Sequence, residues 1–307
     1  NYQKLFNLKN HRFINCENDF DKVDGFIRNN WLDRLFIERL EQKSVYINEL
    51  LRYTNNNWEQ VLFLMLLKSF GSKNNREIFV EIGKSIDFSI IRKLYKKPLQ
   101  MESLLLGQAN LLETTIDDDQ YLSELKKEYT FLSHKFNLIS VFKSPEYFRL
   151  RPMNFPTIRL AQLSAIYAEN NNLFHSLIEN NELDFQEYFK VGTSQYWDTH
   201  YNFGKNSKKG KKKISNSFLN LLIINTIIPL KFAYNRYKGA QDNEGLFKMM
   251  AKIKKEENSI IANFDKLETS ILSAKDSQAY LQLYNNYCTK DKCLDCAIGV
   301  SLLNVKV

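Results

Sequence analysis

WLDRLFIERLEQKSVYINELL, residues 31–51, sets Trp31, Leu32, Leu35, Phe36, Ile37, Leu40, Ile47, Leu50 and Leu51 at three- and four-residue steps. That period lines the apolar side chains along one face of an α-helix, so the stretch predicts an amphipathic helix packed on helical neighbours. Asn30 offers a side-chain acceptor to the first turn and is the expected N-cap. The same texture runs outward along the chain. Trp58 to Phe70 reads as a second helix ended by Gly71, Asn75 to Lys84 as a third, and Asp87 as the cap of a short run through Leu94.

Leu99 to Leu112 is strongly apolar with Gly107 and Gln108 embedded, and the Asp117-Asp118-Asp119 triplet precedes a helix over about 121–136. Acidic residues suit the positive end of that helix. Pro152 and Pro156 bracket an irregular stretch before a helix carrying Leu160, Leu163, Ile166 and Tyr167, for which Asn154 is the expected cap. Shorter helices are expected near 172–190. Phe218 to Tyr237 reads as the most buried helix, kinked or ended at Pro229, and amphipathic stretches follow over 243–264 and 275–287.

No strand pattern and no repeat of solenoid length stand out. The expected fold is therefore all-α: a single large multi-helix domain of stacked helical hairpins over 31–307. Residues 1–30 lack the helical period and are expected to lie as an extended segment across that body. A basic loop near 204–214 and a cysteine-rich C-terminal motif complete the organisation.

Composition agrees, with 22 Phe and 16 Tyr against only 10 Gly and 5 Pro in 307 residues, a balance that favours long regular elements. The longest apolar run, Phe218 to Pro229, is shorter than the ~20 residues a bilayer requires, so no membrane span is expected and the localisation reads as cytoplasmic. The chain opens on Asn1 without a signal segment, as a fragment or processed product would. Of the net charge of +8, Lys205, Lys208, Lys209, Lys211, Lys212 and Lys213 supply six, so the basicity is local. Such a run holds phosphates without sequence preference, which makes DNA or RNA a candidate partner, or it is a solvated loop.

The four cysteines carry the sharpest signal. Cys288, Cys293 and Cys296 form a C-x4-C-x2-C array, and Cys16 is the fourth thiol. Four soft ligands match a tetrahedral Zn²⁺ or an iron-sulfur cluster, with the alternative of ordinary reduced thiols or a disulfide. A second set joins Arg149, Arg151, Asn154 and Arg159 to Asp198 and His200. Arginines grip phosphate or carboxylate in two-pronged fashion, and an acid beside a base forms a possible pocket, although such residues also serve as structural partners. Gln278 and Gln282 share a helix face at i, i+4, from which a polar core network or a ligand pocket is expected, the network ahead. No P-loop, dinucleotide fingerprint, HExxH or nucleophile elbow is present, so the chain offers no catalytic motif.

Asn57-Trp58-Glu59, Leu105 to Leu112, Arg151 to Gln162, Asp276 to Ala279 and the Tyr287 to Gly299 tail together resemble a bacterial family typical of the Bacteroidetes, domain-of-unknown-function family 2851. The resemblance spans nearly the whole chain and implies no mechanism. It implies a further β-rich N-terminal region absent from this chain, with acidic motifs similar to restriction-endonuclease-like folds, and so a catalytic part carried elsewhere. The function expected on these grounds is a metal-stapled helical module that binds nucleic acid through the lysines with Arg151 and Arg159, accessory to a nuclease-like domain. The alternatives are a non-catalytic scaffold for a protein partner and an enzyme built on Arg151, Asn154, Arg159, Asp198 and His200.

Overall fold

Helix formation follows the apolar period over most of the chain. The computed structural model describes residues 12–113, 119–179, 185–240, 243–267, 269 and 271–304. The first eleven residues of the expected approach segment, with Asp117 and Asp118 of the acidic triplet, lie outside the described residues. The fold is all-α, and the one sheet among the described residues is a hairpin of β1 (His200–Asn202) and β2 (Lys205–Asn206). The chain divides into two compact units, one formed by 1–48 with 232–307 and the other by 49–231.

The first helix, α1 (Gly25–Tyr53), begins earlier than the period predicts. Asp24, and not Asn30, serves its start, its carboxylate accepting from the Phe26 and Ile27 amides at 2.9 and 3.2 Å. In the unit formed by the two chain ends, α1 is joined by α11 (Glu244–Lys252), α12 (Ser259–Asp265), α13 (Ala274–Asn286) and α14 (Ala297–Asn304). Helix α13 packs on both α11 and α12, opened by a capping box between Ser273 and Asp276. Between α1 and α13 lies the expected polar network: Gln278 accepts from Arg39 and Lys43 and donates to Glu256, while Glu38 accepts from Gln282 and Tyr287 at 2.9 and 2.8 Å.

The other unit is built on helices that are buried on every side. In α2 (Trp58–Phe70), Val61 through Leu67 are all buried; in α5 (Pro98–Gln108), Met101 through Gln108; in α7 (Pro156–Glu169), Pro156 through Ala168. Such helices are stable only when surrounded, and α5 accordingly packs on α7 and on α6 (Gln120–Phe136), with α2 against α3 (Arg76–Lys84). Asp87 caps α4 (Phe88–Lys93), as the sequence predicts, and Asp119, from the acidic triplet expected at the positive end of the helix, caps α6. Asn154 departs from expectation. Phe155 occupies the N-cap of α7 without a side-chain bond, and Asn154 is used elsewhere.

After the short α8 (Gln186–Phe189), one helical run covers α9 (Asn216–Leu222), a π-turn over Ile223–Ile227 and α10 (Ile228–Tyr237). Pro229 does not end the run: it stands in the first turn of α10, directly after the π-turn, where its missing N–H is tolerated. This 22-residue run, with a mean hydropathy of 1.4 over its most apolar 18 residues, is the one described helix long and apolar enough to cross a bilayer, and it exceeds the apolar run read from the sequence. It is mostly buried within the protein, and the buried Lys231 ammonium on it donates to the Ile178 carbonyl. That is the character of a core helix and leaves no clear membrane span.

Candidate functional site

The cysteine region starts at the N-terminal segment, where Cys16 leads into a 3-10 turn, Glu17–Lys22, with its carbonyl accepting from the Asp19 amide at 3.1 Å. The segment is pinned by aromatic contacts. Phe13 stacks on Tyr284 at 4.9 Å and meets Phe264 edge-on, and Phe20 is fully buried against Phe264 and Tyr280. After α13 the chain makes two 3-10 turns, Cys288–Lys290 and Cys293–Asp295, before Cys296 opens onto α14. Asp291 between the turns takes φ 52°, a left-handed conformation that Asp tolerates, and its carboxylate accepts from Asn15 Nδ2 at 2.9 Å.

These turns bring Cys16, Cys288, Cys293 and Cys296 to the wall of one small cavity, with room of about 20 Å³, shared with Phe20, Leu283, Tyr287 and Ile298. All four are free thiols; Cys296 is buried and the others half-buried. Burial, then the charges of Cys296 and Cys293, push the Cys16 thiol up to about 12. Cys288 is raised further by burial and then by Cys16, Cys296 and Cys293, so the four sulfurs lie within electrostatic reach of one another. Burial likewise raises Cys296, opposed by N–H groups of Gly299, Ile298 and Trp31. The Trp31 indole N–H is buried with no acceptor at full hydrogen-bond distance, and Asn15 Nδ2 stands 3.7 Å from Cys293 Sγ.

Four such thiolates cannot coexist without a cation among them, and N–H groups aimed at sulfur are what tune metal-bound thiolates. The donor set fits a thiophilic centre on both counts. Among the described residues, however, no group of three or more His, Cys, Asp or Glu side chains stands in coordinating geometry, so the thiols line the cavity without a closed coordination sphere.

Gly299 matters here because a Cβ on it would meet the Cys293 carbonyl oxygen at 2.2 Å. Gly299→Ala is expected to push α14 off the Cys293 turn and to lower the unfolding free energy by roughly 1–3 kcal/mol, the usual cost of overpacking. Denaturant titration measures it, and an unchanged midpoint would show the contact to be soft.

Among the basic residues, Lys205, Lys208, Lys209, Lys211 and Lys213 are exposed and form no ion pair among the described residues. Lys212 does not belong with them. It is buried, its ammonium donating to the Gly210 and Asp198 carbonyls at 2.9 and 3.2 Å and lying 4.1 Å from the centre of the Tyr201 ring. Its own carbonyl accepts from Gln162 Nε2 at 3.0 Å, so it anchors the loop. Arg151 is exposed, whereas Arg159 is buried: it donates to Gln162 Oε1 at 2.9 Å and Asn154 Oδ1 at 2.6 Å and covers the Phe218 ring. Arg159 and Asn154 thus meet. His200 instead stacks on Tyr196 at 4.1 Å, and Asp198 serves the lysine loop through its backbone.

One buried acid escaped the sequence reading. Glu102 on α5 accepts from Trp197 Nε1 at 2.6 Å and from the Tyr121 hydroxyl at 2.9 Å, and burial raises its pKa to about 7. The available signal was a lone carboxylate inside the apolar run of 99–112.

A family model described as a protein of unknown function, DUF2851, matches residues 1–259, a span that includes Cys16 and the lysine loop and stops before Cys288. No curated protein and no solved structure matches the chain.

Proposed function

The chain belongs to the DUF2851 family, whose description names no activity, and on that premise we propose that it is a metal-stapled helical module that binds nucleic acid, accessory to a catalytic domain carried elsewhere. The convergence of Cys16 with Cys288, Cys293 and Cys296 on one cavity carries the staple. Zn²⁺ or an iron-sulfur cluster held by the four thiolates would cross-link the two ends of one unit and supply folding free energy directly. Metal analysis of anaerobically purified protein, with its visible spectrum, separates the two metals. Protein free of Zn and Fe that is no less stable than metal-reconstituted protein would overturn the staple.

The nucleic-acid reading is supported by the five exposed lysines of the 204–214 loop, which have no acidic partner among the described residues. Each lysine that meets a phosphate adds about one to the salt slope of binding. Replacing Lys205, Lys208, Lys209, Lys211 and Lys213 together by glutamine is therefore expected to flatten the slope by up to about 5 and to abolish the gel shift of a DNA or RNA duplex at low salt. Lys212 is left in place because it holds the loop. An unaltered shift would remove the loop from the reading. Exposed Ile139, Phe142 and Phe148 favour the rival reading, a scaffold for a protein partner, which a complex stable at high salt would support.

A further inference from the structure

Arg159 is a buried cation without an acid. The residue is 7% exposed, and among the described residues its guanidinium lies over the Phe218 ring and is hydrogen-bonded only to the neutral side chains of Gln162 and Asn154, with Nε buried and unpartnered. Burying a charge in that way is costly unless something compensates it, and a hydrophobic residue would serve packing better. The compensating group is therefore sought in what the side chain faces.

It faces an open cleft of about 450 Å³, whose wall includes Lys73, Arg76, Asn154, Ser215, Ser217 and Asn225 beside Arg159. Among the described residues no acidic side chain lines it, and neither Lys73 nor Arg76 forms an ion pair. Two exposed cations at the rim, a buried guanidinium in the wall and hydroxyl and amide groups between them provide more positive charge and more donors than a carboxylate uses. The volume is that of a small-ligand site.

We infer that this cleft is a binding site for a phosphate monoester, with Arg159 gripping the dianion and Lys73 and Arg76 closing over it. The Asn154 and Gln162 contacts hold the guanidinium plane in place for two-pronged contact, the role in which arginine surpasses lysine. The site stands apart from the lysine loop, since none of Lys205, Lys208, Lys209, Lys211 and Lys213 lines it. The same chemistry is presented by a free nucleotide and by the 5′-phosphate end of a nucleic acid.

Calorimetric titration of the full chain with adenosine 5′-monophosphate and with adenosine tests the assignment. The monophosphate is expected to bind and adenosine not to, with binding at least about tenfold weaker in Arg159→Gln and in Lys73→Gln/Arg76→Gln. The second variant changes only exposed side chains, so it reads the site even if the first fails to fold. Arg159→Lys keeps the charge and is expected to recover only part of the affinity. Competition by a 5′-phosphorylated oligonucleotide, compared with its 5′-hydroxyl twin, assigns the source: displacement by the phosphorylated form alone marks a polymer end, and displacement by neither marks a free small molecule. Equal binding of monophosphate and adenosine, no heat at millimolar monophosphate, or Lys73→Gln/Arg76→Gln binding like the wild type would each overturn the site.

Discussion

On the proposed staple, Cys288→Ser is expected to lower the melting temperature of metal-reconstituted protein by about 10 °C, the consequence of losing ~3–5 kcal/mol from a unit of ordinary domain size. The reasoning starts from the cavity. A structural metal supplies on the order of 10–16 kcal/mol to small domains that depend on it, and loss of one of four ligands forfeits a sizeable part of that. The thiol of Cys288 lines the cavity with those of Cys16, Cys293 and Cys296, so serine there removes one of the four sulfurs that the proposed site uses. Metal dependence distinguishes this loss from mere packing. Chelation is expected to lower the wild type to the level of Cys288→Ser and to leave the variant where it is. Cys16→Ser is expected to match Cys288→Ser, and the double variant to lose no more than either single one, because a site broken once is already broken. Additive losses that ignore chelator would reduce the four thiols to packing.

The period of residues 31–51, the helix of 58–70, the apolar run of 99–112 and the cap at Asp87 are legible because helix formation is written locally, in spacing and end residues. The co-location of Cys16 with the C-terminal cysteines was legible only as a count of four. What brings them together is Phe13 and Phe20 on Tyr284, Phe264 and Tyr280, contacts between segments far apart in the chain that no local pattern records. Charged residues misled for a related reason. Lys212 and Arg159 look like their solvated neighbours in composition, and their burial depends on partners such as the Asp198 carbonyl and Gln162 that emerge only from tertiary packing. Asn154 was read as a cap because its position fits one, yet the buried guanidinium five residues on makes the stronger claim on its side chain.

Glu102 makes the stability of its unit fall as pH rises from about 4.5 to about 7. Burial lifts its pKa from 4.5 to about 7, against the opposing bonds from Trp197, Tyr121 and Ser194. The folded state thus holds a proton that the unfolded chain releases. For an acid raised in this way the burial cost is absent below the unfolded pKa, grows as pH climbs through the window, and is complete above the folded pKa. At 1.36 kcal/mol per pH unit the full cost is on the order of 3 kcal/mol. Glu102→Gln keeps an acceptor for the Trp197 and Tyr121 donors and carries no charge, so the variant is expected to overtake the wild type near neutrality. Urea unfolding at several values across that window measures the difference, in which contributions from all other groups cancel. The half-buried Lys43, lowered to about 7 by desolvation, acts in the opposite direction and above this range, its cost being relieved as pH rises beyond 7. Parallel wild-type and Glu102→Gln curves would mean that the carboxylate is charged throughout and that its two donors outweigh its burial.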